Sequence, residues 1–161
     1  MSIAVDQQRL RRIVETLLPG RTLDPLEANA MLQFVQLAAG ADHHDDPIEH
    51  SIVQSIAQAV SALAGLRLGE MQSIPPLEDE HARLQWLHKL GAQLPSRAAR
   101  ELTFALVFLT SVADLQLTST ELQALEEFQQ ALGLNHQRVT DLVVFLTSIV
   151  AASDVVARPP P

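Results

Sequence analysis

Potential metal ligands crowd one short stretch of this 161-residue chain: Asp42-His43-His44-Asp45-Asp46, followed by Glu49 and His50. Imidazole with carboxylate suits zinc or a related transition metal, whereas carboxylates alone suit magnesium, manganese or calcium. Asp46 and His50 stand four apart and share a face if a helix begins here. A second acidic pair, Asp114 and Glu121, repeats the separation of Asp42 and Glu49, with six residues between the carboxylates in each case.

Simpler roles exist for each of these groups. Glu49 and Glu121 fall at the third helical position after an Asp or Thr cap, where a capping box needs Glu; Glu27 has the same placement after Asp24. Asp42 and Asp114 stand at or just past the C-terminal end of an apolar helix, where the dipole disfavours a carboxylate by about 0.3–1 kcal/mol. The N-terminus of the next helix, a cation, or a basic side chain from the other half of the chain can each offset that cost. All three remain open at this level.

Other chemistries find less support. An EF-hand loop needs Glu at position twelve, but counting from Asp42 gives Val53 and from Asp114 gives Leu125. No His-Glu-x-x-His helix, phosphate-binding glycine loop or nucleophile elbow occurs. His81 and His88, seven apart, line one face of a predicted helix and His136 opens another; surface placement accounts for all three. Without cysteine there are no disulfides, thiolate metal sites or Cys nucleophiles, so a bound metal would be held at middling or low affinity. An enzyme is not expected.

The elements that must position the acidic pairs are helices, seven in number. The first is expected over 6–18, stopped by Pro19-Gly20. The second opens at Asp24-Pro25-Leu26-Glu27 and carries the stripe Leu26, Ala30, Met31, Phe34, Val35 and Ala38. The third opens at Asp46-Pro47-Ile48-Glu49 and buries Ile48, Ile52, Val53, Ile56, Val60 and Leu63, ending near Gly65. The fourth, over 77–90, carries Leu84, Leu87 and Leu90, with Trp86 at the edge of that stripe, and stops at Gly91. The fifth runs from Ser96 towards Asp114; its 104–109 stretch is apolar on every side, the mark of a surrounded helix. The sixth opens at Thr118-Ser119-Thr120-Glu121 and ends at Gly133. The seventh is capped by Asn135 and packs through Val139, Leu142, Val143, Leu146, Ile149 and Val150.

Composition agrees with an all-α fold. Nearly half the residues are apolar, yet there are five Phe, one Trp and no Tyr, so the core must be aliphatic, which suits helix packing better than strands. The chain is long enough for one sizeable core. A single helical domain is expected over 1–152, with a flexible Pro-rich tail over 153–161. A net charge of −8 argues against nucleic acid or an anionic membrane as partner, and suits cations or basic partners. The two most apolar stretches, 101–114 and 141–154, are shorter than the roughly 20 residues of a membrane span. Asp6 and the polar residues after it interrupt any secretory start, so the expected compartment is the cytoplasm.

The two acidic junctions share more than spacing. Leu37-Ala-Ala-Gly-Ala-Asp42 leads to Glu49 and a helix ending Ala62-Leu63-Ala64-Gly65; Thr110-Ser-Val-Ala-Asp114 leads to Glu121 and a helix ending Ala131-Leu132-Gly133. A duplicated helix–loop–helix is the economical reading, with repeats at about 24–91 and 96–152. This pattern resembles the TerB tellurite-resistance family, whose paired helices carry roughly Ala-Asp-Gly-x-Ile-x-x-x-Glu in each half. Ala41-Asp42 and Ala113-Asp114 match its Ala-Asp, Glu49 and Glu121 match its Glu, and Leu117 stands for its aliphatic residue. His43 and Leu115 replace its Gly, and Asp45 replaces the aliphatic residue in the first copy. The resemblance covers about residues 24–150 and implies a pseudo-twofold helical bundle. It also implies a divalent metal (Zn, Mn, Mg or Ca) at Asp42, Glu49, Asp114 and Glu121, to which His43 and His44 can add, and a role in tellurite resistance or stress response. The alternative is a cofactor-free interaction module or dimer that meets a protein partner through Leu66, Leu68, Ile74 and Leu77.

Overall fold

The computed structural model describes residues 7–20, 22–39, 47–65, 77–111 and 119–157. They form seven α-helices and no strand: α1 (Gln7–Leu17), α2 (Pro25–Ala39), α3 (Pro47–Ala64), α4 (Glu80–Ala92), α5 (Arg97–Ser111), α6 (Ser119–Leu132) and α7 (His136–Ala157). The expected all-α class and number of helices are observed.

Local chemistry sets the helix starts. Asp24 Oδ1 accepts from the Glu27 N–H at 3.0 Å, with Pro25 at the first position, where its missing N–H costs nothing. Asp79 caps α4 through the Ala82 N–H, Ser96 caps α5 through Ala99, and Asn135 caps α7 through Arg138 at 2.7 Å. The ends of α3 and α6 also match. Gly65 and Gly133 both adopt positive φ, and each donates its N–H to the carbonyl three residues back. At Gly133 the Leu134 N–H also reaches the Gln129 carbonyl, completing a Schellman motif.

The centre of the molecule is the pair α2 and α5, which pack on one another. Around them the neighbours are reciprocal. Helix α3 lies on α2 and reaches α5, while α6 lies on α5 and reaches α2; α1 contacts α5 and α3, while α4 contacts α2 and α6. Helix α7 packs on α5 and touches α1. Phe34 of α2 and Phe128 of α6 meet edge to face, with ring centroids 5.8 Å apart, within a mainly aliphatic core that also holds Phe104.

Helix α5 is buried along nearly its whole length, as its apolar surround requires. Its buried hydroxyls are satisfied without leaving the helix: Thr103, Thr110 and Ser111 each donate to the carbonyl four residues back. Helix α2 is more enclosed than a single stripe implies, since Asn29 and Gln33 are buried with the apolar residues. Trp86, half-buried at the edge of α4, supplies the partner for Gln33 by donating its indole N–H to Oε1 at 3.0 Å.

Several expectations need correction. Leu26 is 55% exposed rather than part of the buried stripe: the first turn of α2 buries Ala28, and Leu26 lies on its outer face. Helix α4 starts at Glu80, not residue 77, since Asp79 provides the cap. It also passes through Gly91 to Ala92 instead of stopping there. Gly91 is buried where α4 meets α6, and a Cβ at that position would stand 2.2 Å from the Ala131 carbonyl oxygen. This glycine serves a close helix crossing. Helix α5 is described as far as Ser111, so its expected end near Asp114 lies outside the described residues, and α7 continues to Ala157 beyond the expected end near residue 152.

Candidate functional site

The Asp of each acidic pair belongs to a connector, residues 40–46 between α2 and α3 or residues 112–118 between α5 and α6, and its Glu to the helix that follows. Asp42, His43, His44 and Asp114 lie outside the described residues, as do the side chains of Glu49, His50 and Glu121. Their frame is well described. Both connectors leave a helix of 15 residues, α2 or α5, and Asp42 and Asp114 each fall three positions past the last residue of that helix. Glu49 is the third residue of α3 and Glu121 the third residue of α6. The sequence spacing of Asp and Glu is the same at both connectors. Third position is also where a capping-box Glu stands.

The helices that deliver the two connectors are packed neighbours. Helices α2 and α5 touch along the centre of the molecule, and each is also covered by the helix that follows the other connector. Among the described residues, no group of three or more His, Asp or Glu is placed to hold a metal. His81, His88 and His136 are exposed, as expected. Of the residues 66–77 named for a partner contact, only Leu77 is described, and it is half-buried.

A polar cluster that the sequence reading missed ties α5 to α7. Arg138 donates from Nε and Nη2 to Oε1 and Oε2 of Glu101, both at 2.7 Å, a bidentate pair. Arg97 adds a third bond to Oε1 at 3.1 Å. The Arg138 hydrogen bonds, aided by the charge of both guanidiniums, hold the Glu101 carboxyl below the usual carboxylate range against the opposing effect of burial. Glu101 in turn raises Arg138. The i,i+4 pair Arg97–Glu101 was legible, but nothing local connects Glu101 to a residue 37 positions away.

A second ion pair joins α4 to α6, where Arg83 binds Glu127 and lies over the Phe128 ring, 5.8 Å from its centroid. These pairs fasten helices. The comparisons with known proteins add no constraint: no family model, no curated protein and no solved structure matches the chain. Among the described residues no helix is long and apolar enough to cross a membrane.

Proposed function

We propose that the chain is a TerB-like, non-enzymatic helical domain that binds one divalent cation between its two acidic connectors, in a metal or stress response such as tellurite resistance. Asp42, Glu49, Asp114 and Glu121 are its ligands or order its water ligands, with His43 and His44 as further donors. The observation that carries this reading is the matched register of the connectors. In the sequence each pairs an Asp with a Glu seven residues on, and the helices before them, α2 and α5, pack on one another.

The reciprocal packing supports the pseudo-twofold arrangement that such a shared site needs. Exchanging α1, α2 and α3 for α4, α5 and α6 turns each helix contact into another observed contact, with α7 as an addition. The sequences follow the same exchange: Arg9-Leu10 in α1 and Arg83-Leu84 in α4 begin similar turns, and Pro19 and Pro95 follow them. An axis relating α2 to α5 would carry one connector onto the other.

Calorimetric titration of chelator-treated protein with zinc, manganese and calcium tests the cation. Binding heat and a raised melting temperature for at least one of these ions are expected. No heat and an unchanged melting temperature with all three would remove the metal role.

A cofactor-free interaction module is the second reading. It is favoured by a groove of about 400 Å³ between α1 and α3, whose walls include Val14, Ala59, Ala62 and Leu63. Light scattering separates the two: a metal-independent dimer favours the module.

A further inference from the structure

Two turns, one before α5 and one before α7, face a common cavity of about 270 Å³ lined by Pro95, Arg97, Arg100, Gly133, Asn135 and Arg138. Three guanidiniums thus converge in a chain whose net charge is −8. Two of them share the Glu101 carboxylate, Arg138 through both of its oxygens and Arg97 through one. Asp141 acts on Arg138 from the next turn of α7, where Gln137 binds it. Two carboxylates against three arginines leave the cavity positive.

The cations are arranged to receive a ligand rather than only each other. Arg100 donates its Nε to the Leu94 carbonyl, which fixes the plane of its guanidinium, and carries Nη1 past Gly133. Arg138 gives Nε and Nη2 to Glu101, so that bidentate bond leaves Nη1 unused. Arg97 reaches Glu101 with Nε while its side chain is 73% exposed. The cavity also lies against the starts of α5 and α7, where first-turn N–H groups have no partner inside their own helix and the dipole favours negative charge.

We propose that this pocket binds an oxyanion of the phosphate class, either the free ion or the head of a small phosphomonoester. Size sets the class. The volume is several times the ~30 Å³ share of a water molecule, yet below the ~300–1,000 Å³ of sites that enclose whole drug-sized ligands. It has room for a phosphate group carrying a small substituent. Guanidinium forks match carboxylate as well as phosphate, but a doubly charged tetrahedral anion answers cations on three sides better than one planar charge. The site uses none of the residues of the acidic connectors and does not depend on the metal reading.

The test is titration of the ¹⁵N-labelled full chain with inorganic phosphate and, separately, with methyl phosphate, followed by amide shifts at constant ionic strength. Saturable shifts are expected for Arg97, Ala98, His136 and Gln137. R97Q, exposed enough to fold and melt like the parent, is expected to weaken binding about tenfold, the usual loss for one charge-assisted bond. R100Q is expected to weaken it at least as much, and R12Q on α1 not at all. Saturation by both compounds identifies a monoester site, and by phosphate alone a site for the free ion. The proposal is overturned if sodium chloride reproduces the shifts, if neither compound saturates, or if R97Q and R100Q bind as the parent does.

Discussion

Glu101 is 9% exposed and stays ionised because Arg138 grips both of its oxygens and Arg97 adds a third hydrogen bond. Since its folded pKa lies below the ordinary value, its stabilising contribution is complete above the unfolded pKa near 4.5 and fades as pH falls through the lowered folded value. Glu101→Gln is therefore expected to cost about 1–2 kcal/mol at pH 7, discounted because Arg138 is about one-third exposed. That difference from the parent should shrink as pH falls from the unfolded value through the lowered folded one. Urea melts of both proteins at pH 7 and pH 3 check this; a difference that grows in acid would contradict the assignment. Half of the cluster was legible as Arg97 and Glu101 on adjacent turns. Arg138 was not, because its partner is chosen by how α7 crosses α5, which no local pattern records.

At the scale of helices, start and stop chemistry was the most readable feature. Asp24 and Asn135 cap as their sequences indicate, and Gly65 and Gly133 end α3 and α6 with positive φ. Gly91 misled for an instructive reason. A glycine near a helix end signals a C-cap, but here it is a contact residue, and the sequence around it does not distinguish the two roles. The consequence is measurable. Gly91→Ala improves helix propensity by ~1 kcal/mol, yet its methyl meets the backbone of α6, which cannot yield as a side-chain tip can. A net loss of about 2–3 kcal/mol in thermal or urea melts is expected, of the order seen for overpacking. Gly133→Ala, with Arg100 Nη1 3.5 Å from the new carbon, is expected to lose about 1–2 kcal/mol through its positive φ instead. If Gly91→Ala stabilised the protein, the close crossing of α4 and α6 would be wrong.

Over the whole molecule, the duplication is the idea that links fold to function. The fold class followed from an aliphatic composition and seven well-punctuated helical segments, because those signals are local. Which helices become neighbours is not local. The contacts of α1 with α5 and α3, and of α4 with α2 and α6, are made across the chain, whereas the sequence pattern suggested repeats over 24–91 and 96–152. The candidate ligands were legible as types and spacing, and of their surroundings the described residues show only that α2 and α5 pack on one another.

Counting bound Mn²⁺ per chain by electron paramagnetic resonance tests that sharing most directly, in the parent, D42N and D114N. One ion per chain in the parent, lost in both single variants while their melting temperatures without metal stay close to the parent's, is the expected result. Two independent ions, each lost only with its own half, or no bound ion in the parent, would contradict a cation site shared between the repeats.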